Sequence, residues 1–168
     1  PTPTDIIVAT PRPQSYAFRE QLLAELDQVQ TGTPCFNSLL FASINLPPDM
    51  DKYPEGDCYV FCAMHRHLTT STDYEYFMRI ETDVVLLRSG WLSALHALLP
   101  PHASGFWVKG SQPRMDVPPA YKAHINGNAL YSVKDATFLQ LVQDTCLKCG
   151  LAEPSWDVKL SKAFSGTC

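Results

Sequence analysis

The 168 residues carry a formal charge of −4 and are 45% hydrophobic and 18% charged, an ordinary globular balance that excludes a disordered chain. That length fits one domain, residues 1–168, with a sizeable core. The acidic balance offers no nucleic-acid surface, and no apolar run reaches the length of a bilayer span.

In chain order, strands and helices alternate. Asp5–Thr10 reads as a buried first strand, ending at Thr10-Pro11-Arg12-Pro13. Ser15 is placed to cap a helix over 16–29, with Phe18, Leu22, Leu23, Leu26 and Val29 at helical spacing. Thr31-Gly32-Thr33-Pro34 breaks it. A second strand is expected over 37–44 and a third over 58–64, the latter followed by a loop bearing His65-Arg66-His67. Residues 75–80 form a fourth strand. Ser89 is expected to cap a helix over 90–99 that stops at Pro100-Pro101. A short strand over 106–109, a proline-rich loop over 111–120, a strand over 129–133 and helices over about 135–148 and 156–164 complete the chain. The alternation predicts an α/β fold with a mainly parallel sheet and helices on its faces. Ligands in such sheets sit at the carboxyl ends of strands, which would gather Thr10–Arg12, His65–His67 and Glu81–Asp83. The chain opens at Pro1 and shows no basic-then-apolar leader, which predicts a processed fragment and leaves its compartment unread.

The six cysteines are Cys35, Cys58, Cys62, Cys146, Cys149 and Cys168. They show no dense framework, and Cys146-x-x-Cys149 lacks a second pair at zinc spacing. Buried free thiols packed in a strand and a helix are therefore expected.

The segment richest in chemistry is Tyr76-Phe77-Met78-Arg79-Ile80-Glu81-Thr82-Asp83-Val84-Val85-Leu86-Leu87. Unpaired carboxylates are costly in apolar strands. Two acids one residue apart in an extended segment face the same way. Glu81 and Asp83 could thus share one hard cation, Mg²⁺ or Mn²⁺, completed by phosphate and water. The plainer alternative is that the pair ends a strand and starts a turn. For Arg79, a salt bridge with Glu75 or Glu81 and a phosphate contact weigh equally. Arg66, Lys109 and Arg114 are further cations for phosphate or sugar, although a solvated lysine is the commoner outcome. His65 and His67 resemble half a metal site with no third ligand. In His124-Ile125-Asn126-Gly127-Asn128, a turn of positive φ and close ligand approach both explain the glycine. Trp91 and Trp156 are expected to pack, and Trp107 to be buried rather than stacked on a sugar. Asp157 suits the first turn of a helix by dipole alone.

The segments Phe77–Leu86, His124–Ser132 and Ser155–Leu160 resemble, in order and spacing, three motifs of the GT-A fold glycosyltransferases. The likeness is to small algal, plant or large-virus sugar transferases. It implies a GT-A-like Rossmann-type sheet with helices on both faces, a nucleotide-sugar donor (a UDP-sugar is favoured), Mn²⁺ or Mg²⁺, and a glycan or other hydroxyl acceptor. By this resemblance Asp83 holds the metal, with Glu81 on the metal or the ribose. Thr10, Arg12 and Tyr16 line the nucleoside, with Arg66 and Arg79 as nucleotide contacts. Lys109, Asn126, Gly127 and Asn128 lie beside the sugar, and Asp157 is the catalytic carboxylate, as base on the acceptor hydroxyl or facing the anomeric carbon. The chain departs from the family in having Glu rather than Asp at position 81. It also has no histidine after the last motif, so either water and phosphate complete the metal shell or the C-terminus is truncated. Two other classes stay open: a metal-dependent nucleotidyl- or phosphotransferase, although no Walker-type loop occurs, and a non-catalytic nucleotide-sugar-binding module.

Overall fold

The computed structural model describes residues 4–29, 35–52, 55–71, 74–99, 105–111, 125–150 and 156–165. The breaks at Thr31–Pro34 and Pro100-Pro101, the loop from residue 112 with Arg114, His124, Pro154-Ser155 and Cys168 fall outside them.

Strand β1 (Asp5–Thr10) pairs in parallel with β2 (Ser38–Ser43), from Asp5 opposite Ser38 to Thr10 opposite Ser43. The crossover between them carries α1 (Tyr16–Val29), whose first turn is capped where the Phe18 N–H donates to Ser15 Oγ at 3.2 Å. Helix α2 spans Glu55–Ser71, and β3 is Tyr76–Met78. A short α3 (Trp91–His96) follows, and its N-cap is Gly90 in the left-handed region rather than Ser89. Then come β4 (Val108–Gly110), β5 (Ala129–Ser132), α4 (Ala136–Cys146, capped by Asp135) and α5 (Trp156–Ser165). Strand β5 lies between β3 and β4 and is antiparallel to both.

The architecture is mixed α/β, but it is not one mainly parallel sheet. A two-stranded parallel sheet and a three-stranded antiparallel sheet stand in its place. One cause is residues 58–64, which are helical. Cys58, Phe61, Cys62, His65 and Leu68 are all buried and recur every three or four residues, so a helix hides them on one face. Glu55 and Asp57 in its first turn suit the positive end of the helix dipole. The aromatic and branched residues of Tyr59-Val60-Phe61 make the same run look like a strand, and only its length decides.

The core lies where α2, β5, α4 and α5 meet. All four residues of β5 are buried, and Phe61, Tyr131, Phe138, Val142, Trp156 and Leu160 pack with them. The Phe61 and Trp156 rings stack at 3.6 Å between centroids. Trp107 is half-buried and packs against the core, its ring stacked near Phe138 and Phe164 at 6.1 and 6.0 Å. The cysteines depart from the expectation of free thiols. Cys58 bonds Cys149 and Cys62 bonds Cys146, so two adjacent turns of α2 are stapled to the end of α4. Cys58 and Cys62 lie at i, i+4 spacing on one face of α2, while Cys146 ends α4 and Cys149 stands in the turn just after it, where its N–H donates to the Cys146 carbonyl at 3.1 Å. No spacing rule links pairs separated by 84 and 91 residues, which is why the staple was not foreseen.

Candidate functional site

Arg79, one residue beyond β3, is the hub of a polar cluster roofed by aromatic rings. Its Nη2 donates to Asp57 Oδ1, from the first turn of α2. Its Nη1 lies 3.0 Å from Glu81 Oε1. The guanidinium sits 5.1 Å over the Trp156 ring, a cation–π contact that a half-dry site strengthens. Trp156 Nε1 in turn donates to Asp57 Oδ2 at 2.8 Å. One carboxylate therefore holds both the cation and the indole beneath it. Nη1 is buried and donates no aligned hydrogen bond among the described residues, despite its ion pair with Glu81.

Glu81 is fixed from a second direction. Its backbone N–H donates to Asn128 Oδ1 at 2.7 Å, and Asn128 Nδ2 donates back to Glu81 Oε2 at 2.9 Å. Asn126 Oδ1 accepts from both the backbone and side-chain nitrogens of Asn128, at 2.9 and 3.0 Å, an Asx-type arrangement. The Asn126 N–H reaches the Ser111 carbonyl at 2.9 Å, tying the segment to the end of β4.

Gly127 is buried at the centre. It is not in the left-handed region, unlike Gly90 and Gly150, so close approach rather than positive φ explains it. A Cβ there would lie 2.7 Å from Arg79 Nη1, 3.1 Å from Trp156 Cζ2 and 3.8 Å from Asp157 Oδ2. The Tyr131 hydroxyl donates to the Gly127 carbonyl at 2.9 Å, and burial raises that phenol's pKa. Asp157 lies in the first turn of α5, where its Oδ1 accepts from the Val158 N–H at 2.9 Å. Burial also pushes the Asp57 carboxyl above its ordinary value, with Arg79 opposing that rise.

The structure thus brings together Arg79, Glu81, Asn126, Gly127, Asn128 and Asp157 of the residues singled out in the sequence. Asp57 and Tyr131 were missed. Asp57 carries the signal that marked Glu81, an acid set directly against an apolar run, but Tyr131 carries none.

Other expectations change. Strand β3 ends at Met78, and the Val84 N–H donates to the Glu81 carbonyl at 3.1 Å, so residues 81–84 turn. Glu81 and Asp83 therefore do not sit on a strand, and alternation does not aim them. Nor does the following aliphatic run form a buried strand, since Val85 is 75% and Leu87 is 89% exposed. Asp83 is exposed on that turn. Arg66 is not in a loop but exposed on α2, nine residues or about 14 Å along the axis from Asp57. His65 is buried on the same helix. Lys109 donates to the Leu98 carbonyl at 2.7 Å and lies 4.3 Å over the Phe106 ring, so its ammonium is held at the end of α3.

At the carboxyl end of β1, Thr10 Oγ1 donates to the Arg12 carbonyl at 2.7 Å. Arg12 pairs with Asp51 at 2.8 Å, and Tyr16 is 76% exposed. Among the described residues, no hydrogen bond or ion pair joins this trio to the Arg79 cluster. The starts of the two strands are linked instead, because the Tyr74 hydroxyl, two residues before β3, donates to Asp5 Oδ2.

Among the described residues, the only group of three or more ligand atoms close enough for a shared metal is Cys58, Cys62 and Cys149. Those sulfurs are spent in disulfides. Among the described residues no three carboxylates gather in the same way, so a hard cation held by these residues would rest on one or two carboxylates. That is how Mg²⁺ is commonly held, with phosphate and water supplying the rest. Exposed Asp83 fits this donor set in kind, while Glu81 would share its charge with Arg79. The unspent Arg79 donor beside a side-chain-free Gly127 suits an anionic oxygen.

In comparisons with known proteins, no family model, curated protein or solved structure matches this chain.

Proposed function

We propose that this protein is a metal-dependent glycosyltransferase that moves a sugar from a nucleoside-diphosphate sugar, UDP-linked by preference, to a hydroxyl acceptor. One observation carries the reading. Three segments far apart in sequence, 79–81, 126–128 and 156–157, meet around one guanidinium. They belong to the three motifs whose order resembles the GT-A glycosyltransferases.

The chemistry follows from residue types. A departing diphosphate gathers negative charge as the bond to the sugar breaks. Arg79 Nη1, with a donor to spare, meets that charge with a charge-assisted hydrogen bond. Gly127 has no side chain, so Arg79 and Trp156 pack directly against its backbone and the guanidinium is held in place. Asn128 keeps Glu81 turned toward the cluster, and Asp83 with Glu81 would hold Mn²⁺ or Mg²⁺. When bound, such a cation supplies Lewis-acid stabilisation of the leaving diphosphate. Asp157, adjacent to Gly127, takes the proton of the acceptor hydroxyl or faces the anomeric carbon. Thr10, Arg12 and Tyr16 are assigned to the nucleoside as residues of a strand's carboxyl end.

A thermal-shift screen of nucleotide sugars tests this binding. A UDP-sugar should raise the unfolding midpoint in Mn²⁺ but not in EDTA, and Asp83→Ala should abolish the rise. If no nucleotide sugar stabilises the protein in Mn²⁺, the reading is wrong.

A further inference from the structure

We propose that Asp57 is the positioning residue of this site, aiming the free donor of Arg79 at a diphosphate oxygen of the ligand; this inference rests on the glycosyltransferase reading. The geometry leaves Asp57 little other work. Its two oxygens are divided between two partners from different parts of the chain: Oδ1 takes Arg79 Nη2, and Oδ2 takes Trp156 Nε1 at 2.8 Å. The indole is 1% exposed and stacked on Phe61, so it cannot swing. The guanidinium is planar and rigid. Fixing Nη2 on Asp57 and laying the plane on Trp156 leaves Nη1 one direction, along the face of Gly127. Without Asp57, Glu81 would be the remaining carboxylate paired with Arg79, and a chelating Arg79–Glu81 pair would spend the donor that Nη1 now keeps.

The anchor of Asp57 is covalent. Its neighbour Cys58 is bonded to Cys149, so the first turn of α2 is held against the turn that follows α4 whether or not a ligand is present. The carboxylate stands ready before binding, which lowers the ordering cost that a ligand would otherwise meet.

The test uses UDP with Mn²⁺ as probe, titrated calorimetrically into the wild-type chain and into Asp57→Asn, Asp57→Glu, Arg79→Ala and the Asp57→Asn/Arg79→Ala double variant. Asparagine keeps the shape but offers one acceptor oxygen for two donors, and its NH₂ faces a guanidinium. Asp57→Asn should weaken UDP at least tenfold. Asp57→Glu, which restores the charge, should recover part of that loss. The double variant should bind no more weakly than Arg79→Ala alone, because Asp57 acts only through Arg79. In the free protein, the Trp156 indole N–H resonance should move in Asp57→Asn while those of Trp91 and Trp107 stay in place, which also reports that the variant is folded. Wild-type UDP affinity in a folded Asp57→Asn, or additive losses in the double variant, would overturn the positioning role and leave the glycosyltransferase reading standing. A wild-type chain that binds no UDP in Mn²⁺ would overturn both.

Discussion

His65 shows how one side chain can set a pH limit on the whole fold. It is 3% exposed, and the rings of Phe61, Phe77 and Phe138 stand within 6 Å of its own. It bonds the backbone at Ser132, but its Nε2 has no partner among the described residues. A cage of this kind disfavours the charged imidazolium, and burial pushes the pKa from 6.5 to about 4. The unfolded chain therefore binds the proton first as pH falls. Stability should be full above about pH 6.5, decline by about 1.4 kcal/mol per pH unit below it, and level off near pH 4 after losing about 3 kcal/mol. Urea titrations across that range check this. His65→Gln, whatever its own stability, should lose the slope, and an unchanged slope would show that another group titrates. Asp5, held below its ordinary value by Tyr74 and Ser38, acts at lower pH, whereas Asp57, raised by burial, takes up its proton more readily when folded and opposes the His65 slope at the acid end of the window.

At the scale of elements, the paired staples between α2 and α4 decide how the core is held. The cysteines of the two disulfides are 91 and 84 residues apart, so each closes a long loop and the two loops nearly coincide. Chain entropy for a loop of that size is worth about 4–5 kcal/mol. Removing one bond leaves almost the same loop closed by the other. Cys58→Ser/Cys149→Ser and Cys62→Ser/Cys146→Ser should each cost far less than the fourfold serine variant, measured as denaturant midpoints. Twofold losses that add up to the fourfold loss would show that packing, not shared loop closure, is what the bonds supply. The elements also mark what sequence reasoning reaches. Ser15 sits at a true helix start, and β1, α1, β2, β5, α4 and α5 lie within a residue or two of the expected spans. These elements carry local signals, in caps and apolar period. Helix α2 does not, because its apolar run satisfies both periods and its burial is settled by partners far along the chain, such as Tyr131, Phe138 and Trp156. The disulfides and the β3–β5–β4 order are equally non-local. The site was half legible for the same reason: Glu81, Gly127 and Asp157 stand in motifs, whereas Asp57 shows only as an acid before an apolar run and its partners come with the fold.

For the molecule as a whole, the antiparallel sheet and the helices around it hold the buried core, while the β1–β2 pair and α1 are only partly covered. The proposed chemistry sits on the rigid part, beside Trp156 and β5, and the proposed nucleoside contacts sit on the other. That division suits a site whose reacting groups must be held fixed. The central claim is that the Arg79 cluster transfers sugar, and the most direct measurement is sugar release from a panel of nucleotide sugars in Mn²⁺, with and without EDTA, by the wild type and Asp157→Asn. The account predicts metal-dependent release from a UDP-sugar. In Asp157→Asn it predicts release at least tenfold slower, a loss of about 1.4 kcal/mol in transition-state stabilisation, with donor affinity retained. Release that ignores EDTA, full activity in Asp157→Asn, or no release from any donor would contradict it.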